Sequence, residues 1–172
     1  MMQYQQDGNG LAVAQPNVVE LTQFNVFMSA MVGVSRHMKC MQQAIGYNGI
    51  NNRKRGWQDH CDGALGEQAL AKWLNVYWDG TPGTFRSKPD VGQYEVRTKN
   101  EPHGELILRD RDKDEAIYVL VLSHNCPEFV IRGWLWGHEG KQGKWRGRAD
   151  KSRPEAWFIP QSELRDMSSL PR

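Results

Sequence analysis

One short stretch near the middle of the chain, Lys88–Lys99, restricts the possible folds more than any other. A Pro-Asp pair precedes Gln93–Lys99, a run rich in Tyr, Val and Thr that is typical of a β-strand. Side chains two positions apart share a face of a strand, so we expect one apolar face and one charged face. The first comprises Tyr94, Val96 and Thr98, and the second comprises Glu95, Arg97 and Lys99.

Two carboxylates flank the start of this strand. Asp90 lies just upstream, where a bend in the chain can bring its carboxylate beside Glu95. Two close carboxylates repel each other, and a hard divalent cation relieves that repulsion. Mg²⁺ commonly binds through one or two carboxylates together with substrate phosphates. The sequence therefore predicts a Mg²⁺ or Mn²⁺ site with Asp90 and Glu95 as ligands.

The order of these residues resembles the PD-(D/E)xK nuclease superfamily. The matching residues are Pro89-Asp90 and Glu95-Val96-Arg97, with Arg where that family usually has Lys, and the spacing is most similar to its mismatch-repair nickase branch. Gly66-Glu67 offers the acidic residue of the family's first core helix. From Gly66 to about Leu164 the chain also resembles small uncharacterised phage and bacterial proteins. These share a Gly-Glu helix, an Asp-Val-Gly turn and a Val-Arg-Thr strand.

The resemblance implies a restriction-endonuclease-like core and metal-dependent hydrolysis of DNA. Its implied catalytic set is Glu67, Asp90, Glu95, Arg97 and Lys99, with the Val96 carbonyl as a further metal ligand. Arg97 cannot lose its proton, so it cannot replace a lysine as base, but it can bind the scissile phosphate. Lys99 lies one pleat further along the strand, about 7 Å away, and would fill the lysine role in part.

Two other interpretations remain open for the same residues. Glu95, Arg97 and Lys99 can form an ordinary exposed charged face. The fold can also persist without turnover, as a protein that binds DNA or a host protein, for example a phage-encoded accessory factor or inhibitor.

Basic residues are clustered, although the formal net charge is only +2. One cluster lies in a Gly/Asn loop over residues 46–56, and another lies in a long Gly-rich loop predicted for residues 137–153. Cations can follow phosphates, and an aromatic ring can stack on an unpaired base. The candidate nucleic-acid contacts are Arg53, Lys54, Arg55, Lys141, Lys144, Trp145, Arg146 and Arg148. A solvated loop is the alternative for each cluster.

The overall pattern predicts a flexible tail over residues 1–16 and a single domain over residues 17–172. Helical periodicity is expected from Thr22 to about Gln43 and from about residue 57 or 63 to Leu74. We expect the apolar stripe of the first helix to face the core; it comprises Phe24, Phe27, Met28, Met31, Val32 and Val34. Short strands follow, beginning with residues 84–86, which gives an α+β or mixed α/β fold around a single mixed sheet.

The remaining sequence features concern the cysteines, a possible zinc site, membrane spans and other catalytic motifs. The chain has three cysteines, an odd number at no framework spacing, which predicts reduced thiols and a cytoplasmic protein. A zinc site built from His/Cys pairs stays open; the pairs are His37 with Cys40, His60 with Cys61, and His124 with Cys126. No segment approaches the roughly 20 apolar residues of a membrane span. No catalytic Ser/His/Asp order, P-loop or dinucleotide-binding motif is present.

Overall fold

The chain folds as helices packed on a mixed sheet, which confirms the α+β class. The computed structural model describes residues 4–6, 12–14, 17–42, 53–82, 88–151 and 153–172. The main helices are α1 (Gln23–Gln42) and α2 (Arg53–Leu74), and α3 (Gly137–Gly140) is a single turn. The strands are β1 (Tyr4–Gln6), β2 (Ala12–Ala14), β3 (Asn17–Glu20), β4 (Tyr94–Lys99), β5 (Leu106–Leu108), β6 (Ile117–Asn125), β7 (Glu128–Trp136), β8 (Arg146–Gly147) and β9 (Ala156–Ile159).

The central sheet has four strands in the order β3-β7-β6-β4, with β4 at one edge. β4 and β6 run parallel, whereas β7 is antiparallel to both β6 and β3. One face of this sheet shares an apolar cluster with α2, in which Val96, Val119 and Leu70 are buried. The other face packs against a second sheet, ordered β5-β9-β8, through Leu120, Leu108 and Ile159. The domain therefore has a helical layer, a central sheet and a small antiparallel sheet.

Helix α1 begins where its sequence predicts. The Thr22 hydroxyl accepts a hydrogen bond from the Asn25 backbone N–H at 3.2 Å, and the Asn25 side chain in turn accepts the Thr22 N–H at 3.3 Å. This reciprocal arrangement satisfies two backbone donors that a helix start leaves unpaired.

The orientation of α1 differs from the prediction. Its buried residues are small or polar, namely Ser29, Gly33, His37 and Cys40. A Cβ added at Gly33 would lie 2.5 Å from the Cys61 Cα, so α1 and α2 approach backbone to backbone. Because the close approach selects the small residues, much of the predicted core stripe faces outward. Phe24 is 69% exposed, Phe27 61%, Met28 42% and Met31 48%.

A similar close approach fixes α2 on the central sheet. A Cβ added at Gly66 would lie 2.0 Å from the Thr98 Oγ1 and 3.0 Å from the Thr98 Cβ. Glycine at this position therefore sets the distance between α2 and β4. The next residue, Glu67, comes under the influence of the Asp90 charge.

Several predicted elements differ in detail. The strands form more than one sheet, because β5, β9 and β8 pair among themselves, and β1 pairs with β2 within the predicted tail. Helix α2 begins at Arg53, so the basic triplet predicted for a loop lies in the first turn of a helix. The predicted loop over residues 137–153 contains α3, a 3₁₀ turn and β8. The strand predicted for residues 84–86 lies outside the described residues. No helix in the described part of the chain is long and apolar enough to cross a membrane.

Candidate functional site

A tight turn brings Asp90 back onto the motif strand. Val91 and Tyr94 exchange two backbone hydrogen bonds, of 3.1 and 2.9 Å, around Gly92, whose φ of 58° lies in the left-handed region that favours glycine. The Asp90 Oδ2 then accepts a hydrogen bond from the Val96 backbone N–H at 2.8 Å. The predicted bend is therefore present, and its geometry follows from Val91-Gly92.

The charged face of β4 has the predicted alternation, but it is half-buried rather than exposed. Glu95 and Arg97 retain side-chain exposures of 23% and 25%. The Arg97 guanidinium lies 3.8 Å from the Glu95 carboxylate and 3.1 Å from Asp112 Oδ2. It also donates to the Val96 carbonyl oxygen at 3.1 Å and lies 4.8 Å from the centre of the Tyr118 ring. Arg97 therefore bridges two acidic groups and a backbone oxygen.

The charge of Asp90 acts on Glu95 across the edge of β4. Burial raises the pKa of Glu95 to about 7, and repulsion from Asp90 adds to this increase. Attraction to Arg97 opposes it, and repulsion from Asp112 reinforces it. A carboxylate with this pKa is only partly ionised at neutral pH, and additional positive charge would stabilise its ionised form.

Glu67 is also influenced by Asp90 and is already paired. Its two carboxylate oxygens accept hydrogen bonds from Arg36 at 2.5 and 2.8 Å, and the Trp78 indole donates to it at 3.0 Å. Burial raises the pKa of Glu67, the hydrogen bond from Arg36 opposes this, and Asp90 raises it further. Glu67 therefore belongs to the same electrostatic cluster as Asp90, but Arg36 and Trp78 occupy its oxygens.

The charges that act on Lys99 differ from those that act on Glu95. Burial lowers the pKa of its ammonium, Glu101 opposes this effect, and Arg109 acts in the same direction as burial. A Cβ added at Gly104 would lie 2.6 Å from the Lys99 Cβ, so the turn before β5 packs against this side chain. The charges that act on Glu95 are those of Asp90, Arg97, Asp112 and Lys113 rather than that of Lys99.

The oxygen ligands at this edge of the sheet fit a hard divalent cation in chemical type. Asp90, Glu95 and the Val96 carbonyl supply oxygens, which are the ligands that Mg²⁺ and Mn²⁺ prefer. Within the described ranges, no group of three or more His, Cys, Asp or Glu side chains is arranged to hold a metal ion. A cation would therefore depend on the two carboxylates, the carbonyl and its substrate.

The described residues also lack such a group at the predicted zinc site. His37 and His60 are neighbours between α1 and α2, with ring centres 5.5 Å apart, but no third ligand from the described residues completes a site. The three cysteines are free thiols, with Cys40 buried and Cys126 exposed. The side chain of His124 lies outside the described part of the chain.

The second basic cluster forms ion pairs on the surface of the small sheet. Lys141 contacts the Asp114 carboxylate at 2.6 Å and the Asp112 carbonyl, which anchors the segment before β6. The other pairs are Lys144 with Glu163 at 3.5 Å, Arg146 with Glu155 at 2.9 Å, and Arg148 with Glu155 at 3.5 Å. The side chains of Arg53, Lys54 and Arg55 lie outside the described part.

Sequence reasoning missed Arg36, Trp78 and Asp112 as members of this cluster. Arg36 is 31 residues from its partner Glu67, and no local pattern links them. Asp112 belongs to the polar segment before β6. Parallel pairing of β4 with β6 brings this segment near Glu95, but the sequence did not predict that pairing. Comparisons with family models, curated proteins and solved structures found no match.

Proposed function

We propose that the chain is a divalent-metal-dependent hydrolase that cleaves phosphodiester bonds in DNA. The observation that supports this proposal is the hydrogen bond of 2.8 Å from the Val96 N–H to Asp90, which holds this carboxylate at the edge of β4 next to Glu95 in the chain; burial and repulsion from Asp90 raise the pKa of Glu95 to about 7. Two such carboxylates beside a backbone carbonyl form a site whose charge favours a divalent cation. This arrangement agrees with the resemblance to PD-(D/E)xK nucleases.

Each residue of the cluster has a distinct role in this proposal. Asp90, Glu95 and the Val96 carbonyl would hold the cation, and a bound Mg²⁺ would polarise a phosphoryl oxygen as a Lewis acid. Arg97 would donate hydrogen bonds to non-bridging phosphate oxygens, where negative charge increases during hydrolysis. The ion pair with Asp112, at 3.1 Å, positions Arg97 beforehand. Glu67 is held by Arg36 and Trp78, so it would act through its charge beside Asp90 rather than as a ligand.

Cleavage assays with matched variants test this proposal. The purified protein would be incubated with supercoiled plasmid, circular single-stranded DNA and labelled RNA in Mn²⁺, in Mg²⁺ and in EDTA. We expect metal-dependent cleavage of DNA that Glu95→Gln abolishes and Glu101→Gln preserves, because Glu101 is exposed and follows the strand. Calorimetric titration with Mn²⁺ should detect binding to the wild type and a large loss in Glu95→Gln. Absence of both binding and cleavage would refute the proposal.

A second candidate is a protein that keeps the fold and binds DNA without turnover. The contacts of Arg97 favour it, because the guanidinium donates to the Val96 carbonyl and lies 3.8 Å from Glu95. The Arg97 guanidinium would thus occupy the Val96 carbonyl and neutralise the Glu95 carboxylate, two of the groups that a metal ion would need. This candidate predicts no cleavage in any metal, and salt-dependent DNA binding that persists in Glu95→Gln.

The free cysteines support a reducing compartment as the place where the protein acts. Free thiols such as these three are typical of cytoplasmic proteins, where glutathione and thioredoxin keep cysteines reduced. We therefore propose the cytoplasm, which is also where a DNA substrate would be met in a bacterial host.

A further inference from the structure

Helix α1 has a second apolar face, separate from the small residues such as Gly33 that pack on α2. Along this face, apolar residues recur at alternating intervals of three and four positions, which is the heptad spacing by which one helix packs lengthwise on another. The pattern begins in the first turn of α1 and ends in the last. We name it the outer stripe; it comprises Phe24, Phe27, Met31, Val34, Met38 and Met41.

The described part of the chain leaves the outer stripe open to solvent. The exposed fraction lies between 42% and 69% for the two phenylalanines and four methionines on this side, Phe24, Phe27, Met28, Met31, Met38 and Met41. With about 200 Å² for a fully exposed residue of this size, these six expose about 600 Å². The largest apolar patch on a typical monomer is about 300–600 Å², and patches of this size and above mark interaction surfaces.

Polar groups do not interrupt the outer stripe. The Ser35 hydroxyl, beside its centre, donates a hydrogen bond to the Met31 carbonyl oxygen at 2.8 Å, so burial of this edge would leave that donor satisfied. The cations of α1 are Arg36, which pairs with Glu67, and Lys39 near the end of the helix. Helices that lie on a membrane surface carry many Lys and Arg beside their apolar face, so this composition favours a protein partner over lipid.

The order of residues in the outer stripe is complementary to itself when a second copy runs antiparallel. The centre of the stripe lies between positions 32 and 33, and a two-fold axis at that point sets Phe24 opposite the second copy's Met41 and Phe27 opposite its Met38. Contact between a methionine sulfur and an aromatic ring is favourable, and a flexible methionine adapts to the ring. Antiparallel helices also bring opposite ends of their dipoles together.

We propose that two copies of this chain form a dimer in which the outer stripes pack against each other as an antiparallel helix pair. The same patch then serves both copies, as two-fold symmetry requires. The six exposed residues alone would bury about 1,200 Å² over the two copies, the lower limit of a specific interface. The outer stripe carries no charge, so its two copies do not repel each other. This dimer goes beyond the proposed hydrolysis and does not depend on it.

Sedimentation velocity and light scattering at micromolar protein concentrations test the dimer. We expect the wild type to have twice the monomer mass of 19.8 kDa. Met31→Glu places like charges on both sides of the two-fold axis and should raise the dissociation constant of the dimer about 100-fold or more. Met31→Leu should preserve the dimer. Ala149→Glu, a matched charge at an exposed position near the small sheet, should also preserve it.

Thiol cross-linking tests the antiparallel direction. Cys126→Ser removes the exposed native thiol and serves as the parent. In this parent, Phe24→Cys combined with Met41→Cys should yield a covalent dimer with a short bis-maleimide reagent. Phe24→Cys alone should not, because the two copies of position 24 would be about 25 Å apart along the helix pair. A parallel pair would give the reverse result for the single variant.

The two experiments together decide the outcome. A wild-type dimer that Met31→Glu dissociates and Ala149→Glu does not, with cross-linking only in the double cysteine variant, supports the antiparallel pair. Circular dichroism of Met31→Glu should match that of the wild type, because the replaced side chain is exposed. A wild type that stays monomeric overturns the dimer, whether or not this face binds lipid vesicles or another protein. A dimer that Met31→Glu leaves intact, or cross-linking by Phe24→Cys alone, overturns it as well.

Discussion

Substitution of Gly66 by alanine tests how α2 is held against the motif strand. The new Cβ would lie 2.0 Å from the Thr98 Oγ1 and 3.0 Å from the Thr98 Cβ and Cγ2, distances that require the helix or the strand to move. Overpacking of this kind typically costs about 1–3 kcal/mol. Replacement of glycine in a helix interior by alanine contributes about 0.5–1 kcal/mol in the opposite direction. We therefore expect Gly66→Ala to be destabilised by about 0.5–2 kcal/mol.

Gly63 offers a matched control on the same helix. A Cβ added there meets no atom within 4 Å, so Gly63→Ala should gain the helix-propensity term of about 0.5–1 kcal/mol without the clash. Because this term is common to both variants, their difference isolates the contact with Thr98 and should be about 1–3 kcal/mol. Urea unfolding followed by circular dichroism and by tryptophan fluorescence would measure it.

A double variant identifies the colliding atoms. The Thr98 Oγ1 is buried and has no hydrogen-bond partner among the described residues, so Thr98→Ala alone should change stability little. Combined with Gly66→Ala, it removes the Oγ1 and the Cγ2 and should recover at least half of the loss. If Gly66→Ala proves as stable as Gly63→Ala, the proposed spacing of α2 and β4 is wrong. A loss that Thr98→Ala does not reduce would assign the cost to another contact.

The remaining predictions concern charged groups. Burial, followed by the charges of His37 and Arg36, lowers the pKa of His60 to about 4, below its unfolded value of about 6.5. The contribution of His60 to the free energy of unfolding is therefore complete above pH 6.5. It falls by about 2–3 kcal/mol as the pH decreases to 4. Urea midpoints between pH 7 and pH 4 should show this loss, and His60→Gln should reduce it. Arg36→Met leaves Glu67 buried without its cation and should cost about 3–5 kcal/mol in thermal or urea unfolding, much of which Arg36→Met combined with Glu67→Gln restores. The pKa of Glu95 is raised to about 7, so calorimetric Mn²⁺ affinity should increase from pH 6 to pH 8 as the carboxylate ionises; constant affinity over this range would contradict its role as a ligand.

The alternation of apolar and charged residues along β4 predicted the two faces of this strand, because it depends only on neighbouring positions. Alternation along β4 places Tyr94 and Val96 in the core and Glu95 and Arg97 on the other face, as a period of two requires. The turn that returns Asp90 also follows from nearby residues, since Gly92 adopts a left-handed conformation. For these features the sequence contains the physical cause within a few positions.

Long-range packing limited the other predictions. Helix α1 buries Gly33 rather than Phe27, because contact between two helix backbones selects small side chains, and a hydrophobic period cannot reveal that preference. The partner of Glu67 is 31 residues away, so its ion pair depends on how α1 lies on α2. Asp112 reaches the site because β6 runs parallel to β4, a pairing that strand composition does not determine.

The bond between Asp90 and the Val96 N–H also protects the outermost strand of the sheet. An unpaired strand edge is a template for association with another chain, and its N–H and C=O groups are the points of attachment. Here the N–H is occupied by Asp90 at 2.8 Å and the C=O by Arg97 at 3.1 Å, so the two motif side chains act as gatekeepers against aggregation. Replacement of Asp90 by a shorter side chain would leave the Val96 N–H unpaired at the strand edge. Solubility would then fall for a reason that is independent of catalysis. Glu95→Gln leaves that guard in place, which makes it the cleaner choice for an inactive protein.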